Sequence, residues 1–187
     1  MSRLEMADEL LILALCASAD GWIIGQDGRV RLPPHLDLGL AAAELAAHGP
    51  QPGLAQQIVA VAAGRPHLRR IAALREQGRV VVGEEPSRGL FHGRTVTRLR
   101  APEYGAEYAI MDRLLAALGG VPADDGTVGL LAVMRACDLH RRWFRGLPRR
   151  ERARRIDRLT RDHWLRVAVE SAIVADLVWP AAANGTL

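Results

Sequence analysis

Residues 68–96 constrain this chain more than any other stretch. Leu68, Ile71, Ala72 and Leu74 recur at helical spacing, and Gly78 stands where a left-handed residue closes a helix. The β-branched run Val80, Val81, Val82 follows at once. Glu84-Glu85-Pro86-Ser87-Arg88-Gly89 has the composition of a turn, and Leu90 to Val96 can return as a second strand. The chain therefore holds a helix, a glycine stop and a two-stranded ribbon in immediate succession.

The rest of the chain supplies mainly helix. Aromatic residues make up only 4% of a sequence that is 49% hydrophobic, so the core rests on Leu, Ala, Val and Ile, which suits helices better than a β-sandwich. Helices are expected over Ala7–Ala17, His35–Ala47, Gly53–Ala63, Glu103–Leu118, from Asp124 onward, Pro148–Leu159 and Asp162–Val178, the last stopped by Pro180. The first reads as an amphipathic helix. The helix after Asp124-Asp125-Gly126-Thr127 carries Leu130, Leu131, Val133 and Met134 and is apolar on nearly all sides, which places it centrally. Trp22-Ile23-Ile24 and Arg29-Val30-Arg31 flank Gln26-Asp27-Gly28, a second hairpin signal. The expected architecture is a single all-α domain over residues 1–187, mainly a helical bundle, with one or two small β-hairpins.

Charge is unevenly distributed. All 25 basic residues are Arg, which marks a GC-rich, bacterial coding sequence and makes every cation a planar fork suited to phosphate or carboxylate. Residues 135–166 hold 12 Arg against Asp138, Glu151, Asp157 and Asp162, whereas the remainder holds 13 Arg against 17 acids. The basic segment either faces phosphates or forms a solvated helix face laced with ion pairs. Within it, Trp143 and Phe144 lie among Arg141, Arg142 and Arg145. That interleaving suits the headgroup layer of an anionic bilayer; alternatively the two aromatics plug the core and the arginines fan outward.

Catalytic and metal chemistry find no footing. The six His and two Cys show no ligand spacing, and no nucleophile motif or phosphate-cradling loop is present. Cys16 and Cys137 read as small core residues. No catalytic residue, metal or cofactor is expected. Glu5, Asp8 and Glu9 precede the apolar run at Leu10 where a signal peptide needs positive charge, so a cytoplasmic protein is expected.

The helix and ribbon have two familiar uses. One is the recognition helix and wing of a nucleic-acid-binding domain, with residues 65–75 in the groove. Glu84 and Glu85 would then meet phosphate, so nucleic acid is an unlikely partner. The other is the helix and hairpin of the Golgi phosphoprotein 3 family. Leu10-Leu11-Ile12-Leu13-Ala14-Leu15, Gly39 to Ala46, Leu74 to Val80 with Gly89-Leu90-Phe91, Asp125 to Leu131, and Asp162-His163-Trp164 with Val167-Ala168-Val169 resemble that family's segments in order. The resemblance implies a mostly helical, non-enzymatic fold whose eukaryotic members bind phosphatidylinositol 4-phosphate and the tails of Golgi enzymes.

Carried onto this sequence, the resemblance implies a headgroup site that lacks some of its parts. The family's arginine before Gly39 is Leu38 here, and two further basic positions fall on His67 and Gly64. The family's Trp is absent from its usual place, with Trp22 a few residues away. Arg65, Arg69 and Arg70 flank the same helix start and, with His67, form the expected lipid-headgroup cluster. An anion there also gains from the unpaired amides of a helix N-terminus. Trp22, Arg141, Arg142, Trp143 and Arg145 are the expected membrane contacts. Val80, Val82, Leu90 and Phe91 give the ribbon an apolar surface for a second copy or another protein partner. Together these imply docking at the inner face of a membrane on anionic phospholipid. A protein-interaction scaffold is the remaining alternative.

Overall fold

The computed structural model describes residues 4–17, 22–24, 33, 35–86, 95–100, 104–141, 143–144, 146 and 148–183. Eight α-helices are found there: α1 Met6–Cys16, α2 Leu36–Leu45, α3 Leu54–Ala63, α4 Pro66–Glu76, α5 Tyr104–Leu118, α6 Asp125–Ala136, α7 Arg149–Thr160 and α8 Trp164–Ala183. They take up more than half of the chain, as the Leu/Ala-rich composition predicts.

Two helices form the centre. α6 packs on α1, α2, α5, α7 and α8, and buries every residue from Gly129 to Met134. Its start is fixed by Asp124, whose carboxylate accepts the Thr127 amide at 2.7 Å. α1 is the other central helix and departs from the amphipathic expectation. Every residue from Ala7 to Leu15 is buried, Asp8 and Glu9 included. The two acids sit among α2, α4 and α5 because arginines from the later helices reach them.

Gly39 permits the central crossing. A Cβ there would stand 2.7 Å from Cys137 Sγ, 3.1 Å from Val133 Cγ1 and 3.2 Å from Leu10 Cδ2. α2 can approach α1 and α6 this closely only without a side chain at that position. Cys137 lies in the same contact, its thiol donating to the His35 carbonyl at 3.3 Å. Burial pushes the Cys137 and Cys16 thiols up to about 12, so both stay protonated as core groups.

The junction after α4 matches its sequence. Gly78 takes φ +70°, Arg79 N donates to the Leu74 carbonyl at 2.8 Å, and Gly78 N donates to Arg75 at 2.9 Å. This pair of bonds ends a helix and turns the chain sharply into a strand.

The ribbon differs from expectation. β2 runs Val81–Pro86, so Glu84, Glu85 and Pro86 extend the strand instead of turning. β3 is Thr95–Arg100, and β1, Trp22–Ile24, pairs with β3 antiparallel, with Trp22 opposite Leu99. The order β1-β3-β2 makes one three-stranded sheet, in which β1 pairs with β3. Residues 29–31, its expected partner, lie outside the described residues. Pro86 is tolerated because β2 is an edge strand and Pro86 is its last residue. α8 likewise runs through Pro180 to Ala183. A proline costs a helical hydrogen bond, but only the last part of the helix follows it.

Candidate functional site

The start of α4 brings the expected headgroup cluster together and occupies most of it. Arg70 Nη1 lies 2.7 Å from Glu5 and 3.1 Å from Asp8, and its Nε donates to Glu44 at 3.0 Å. Burial works against the charge on Arg70, but hydrogen bonds to Glu5 and Glu44 and the nearby Asp8 outweigh it and hold the guanidinium more firmly protonated. Arg69 also donates to Glu44, at 3.1 Å, with most of its side chain exposed. His67 is buried, its Nδ1 2.7 Å from Asp37. Arg65 is exposed in a left-handed conformation at the helix cap. Three of the four residues thus face carboxylates, and an incoming phosphate would compete with Glu5, Asp8, Asp37 and Glu44.

The positions implied by the family resemblance also lack an arginine. Leu38 is buried in the core, Gly64 caps α3, and His67 faces Asp37. Beside Leu38 lies a concavity of about 290 Å³ with apolar walls from Leu36, Val59 and Ala62. Two carboxylates, Asp37 and Asp176, line it beside one basic side chain, His35, and no arginine lines it.

The arginines of the 135–166 segment divide into two groups. The inward group is bound to acids or carbonyls. Arg152, buried in α7, donates from Nη1 to the Trp143 carbonyl at 3.0 Å and toward that of Phe144 at 3.4 Å. Asp157 receives Arg135 at 3.0 Å and Arg166 at 2.8 Å. Its burial favours the neutral acid, yet the two guanidinium groups hold its carboxyl below the usual range. Arg166 also grips Glu170 at 2.9 Å. The outward group is Arg150, Arg154, Arg158 and Arg161. All four are exposed and none forms an ion pair among the described residues, although Asp157 and Asp162 line a concavity of about 380 Å³ together with Arg154, Arg158 and Arg161.

The expected membrane contacts fare unevenly. Trp143 is half-buried against the core and Phe144 is buried, so the two aromatics plug the bundle instead of facing a bilayer. Arg141 is exposed but its Nε lies 2.7 Å from Asp138. Arg142 and Arg145 lie outside the described residues, as do Leu90 and Phe91. Trp22 occupies β1 opposite Leu99. Val80 precedes β2 and is buried in the core, which removes it from any surface for a partner, whereas Val81 and Val82 are exposed.

The outward row on α7 was missed as a specific surface, although its spacing of four, four and three residues is legible in the sequence. Among the described residues no helix is long and apolar enough to cross a membrane. No curated protein matches the chain. The family model for Golgi phosphoprotein 3 (GPP34) matches residues 38–175, from the buried start of α2 to the later part of α8. That span covers most of the chain, including Gly39, the Gly78 junction and the α6 cap, and the chain belongs to the Golgi phosphoprotein 3 family.

Proposed function

We propose that this protein is a non-enzymatic peripheral protein that docks from the cytoplasmic side on anionic phospholipid surfaces, by charge and with little choice of headgroup. The observation that carries the reading is the exposed, unpaired arginine face of α7. The excess of positive charge in residues 135–166 remains at the surface there after folding. Each Arg near an anionic bilayer contributes about 1 kcal/mol, so four acting together give salt-sensitive attachment without a pocket. Weak selectivity follows from the positions implied by the family resemblance, where Leu38, Gly64 and the His67–Asp37 pair offer no free cation.

Co-sedimentation with vesicles tests this. Binding to phosphatidylglycerol vesicles at low salt, loss of that binding in high salt, and near-equal affinity for vesicles with phosphatidylinositol 4-phosphate at matched charge are expected. Failure to bind any anionic vesicle at low salt would remove the reading. A second copy at the open edge of β2 belongs to the same picture, since Val81 and Val82 remain 42% and 39% exposed there. Light scattering on the protein with residues 84–90 deleted checks it: a mass that falls from that of the parent is expected, and a monomeric parent overturns it.

A further inference from the structure

Arg150, Arg154, Arg158 and Arg161 lie along one side of α7 in a row about 16 Å long at the helical rise. The row borders a cleft of about 650 Å³ whose opposite wall is the end of α5, at Leu118, Gly119 and Gly120. The two glycines contribute no side chains, so the guanidinium groups of Arg150, Arg154 and Arg158 dominate the cleft. Arg155 also lines it but is committed, donating to the Leu118 carbonyl at 3.2 Å and to Glu151. Glu151, the cleft's one acid, is thereby matched, and Arg150, Arg154 and Arg158 form no ion pair among the described residues, while Asp157 and Asp162 lie with Arg154 and Arg158 in the adjoining concavity.

Exposed aliphatic residues flank the Gly119–Gly120 turn in sequence. Val121, directly after Gly120, is 56% exposed, and Leu115, one turn before Gly119, is 44% exposed. The turn is rigid: Gly119 N, Gly120 N and Val121 N donate to the carbonyls of Leu115, Ala117 and Ala116. Its amides are therefore spent and do not bind an anion; the arginines do. Exposed aliphatic side chains beside a row of guanidinium groups match the boundary between phosphate headgroups and acyl chains. A nucleic acid would use the charge but offer Val121 and Leu115 nothing apolar to enter.

We infer that this face, the α7 arginine row with the Gly119–Val121 turn, is the surface that seats on an anionic bilayer, with phosphodiester headgroups between Arg150, Arg154 and Arg158 and the Val121 side chain at acyl-chain level. The inference rests on the docking reading above and names the face that performs it.

The test uses the full chain and vesicles of phosphatidylglycerol mixed into phosphatidylcholine. Arg154→Glu with Arg158→Glu should weaken binding at least about thirtyfold, from about 1 kcal/mol per Arg removed. Arg75→Glu with Arg79→Glu makes the same charge change at the end of α4, a helix that packs on α1, α2 and α3. It should weaken binding less than about threefold, because on this assignment those arginines are not part of the docking face and salt screens charges beyond about 10 Å. Val121→Asp should weaken binding about tenfold or more while the melting temperature stays within a few degrees. Equal losses in the two double variants, with the parent still bound, would overturn the assignment of this face and leave charge-driven docking standing. Tight binding of the parent to a short DNA duplex that Val121→Asp leaves unchanged would overturn it in favour of a nucleic-acid surface. A parent that ignores the vesicles overturns both the face and the docking reading.

Discussion

The start of α4 and the outer face of α7 are both rich in arginine, and they use it in opposite ways. At α4, Arg70 is enclosed by Glu5, Asp8 and Glu44, which come from two other segments of the chain. At α7, Arg150, Arg154, Arg158 and Arg161 are exposed and form no ion pair among the described residues. The side chains are chemically identical; the carboxylates around them decide whether a guanidinium joins helices or stays free to attract a ligand. Local sequence shows where arginines cluster, but the acids that neutralise Arg70 come from 26 to 65 residues away.

The largest expected effect is on the α4 side. Arg70→Met leaves Asp8 and Glu44 facing each other in a largely buried site, and breaking such a pair costs about 3–5 kcal/mol. Thermal unfolding should shift down by on the order of 10 °C, while vesicle binding by the folded variant stays close to that of the parent. An unchanged melting temperature would erase the distinction between the two regions. Arg152→Ala, on the buried side of α7, removes a charged donor from the Trp143 carbonyl and should cost about 2 kcal/mol. Intrinsic fluorescence should move to longer wavelength if Trp143 loses its cover, and a variant as stable as the parent would count against the packing described.

Acid sensitivity sharpens the same contrast. Asp157 has a folded-state value below its ordinary 3.8, so its stabilising contribution is present above that pH and is lost as pH falls toward the folded value. His140 is depressed below 6.5, chiefly by burial and then by Arg135, with Arg152 adding and Asp138 opposing. The unfolded chain takes up that proton first, so stability declines as pH drops below about 6.5. Asp157→Asn should flatten the loss below pH 4 and leave the decline that begins below about pH 6.5 in place, as read by urea unfolding across pH. The smallest effect belongs to the exposed row: Arg154→Gln or Arg158→Gln alone should change stability by no more than about 0.5 kcal/mol.

Much of the fold follows from local chemistry. The Gly78 stop, the Asp124 cap and the apolar body of α6 depend on residues near one another in sequence, and each forms where the sequence places it. What was not legible depends on distant partners. Asp8 and Glu9 give α1 a polar edge on paper, yet Arg70 and Arg113 bury both. The chain at Glu84 to Pro86 has turn composition, but pairing with β3 extends it. The basic residues at the start of α4 lie together because they share one helix; their pairing with acids is hidden in the sequence because Glu5, Asp37 and Glu44 lie far from them. The α7 row needed only helical periodicity to be seen, and the cleft beside it needed the position of α5.

The burial of α1 has a consequence for the making of the protein. Its nine buried residues are made before the arginines that cover its acids: the one that pairs with Asp8 follows 62 residues later and the one that pairs with Glu9 104 residues later. At roughly 5–20 residues per second, the most apolar helix of the molecule waits on the order of 3–20 seconds for the charges that let it be enclosed. During that interval Leu10 to Leu15 is an uncovered greasy segment on a nascent chain, and it is there that a chaperone would find its first grip.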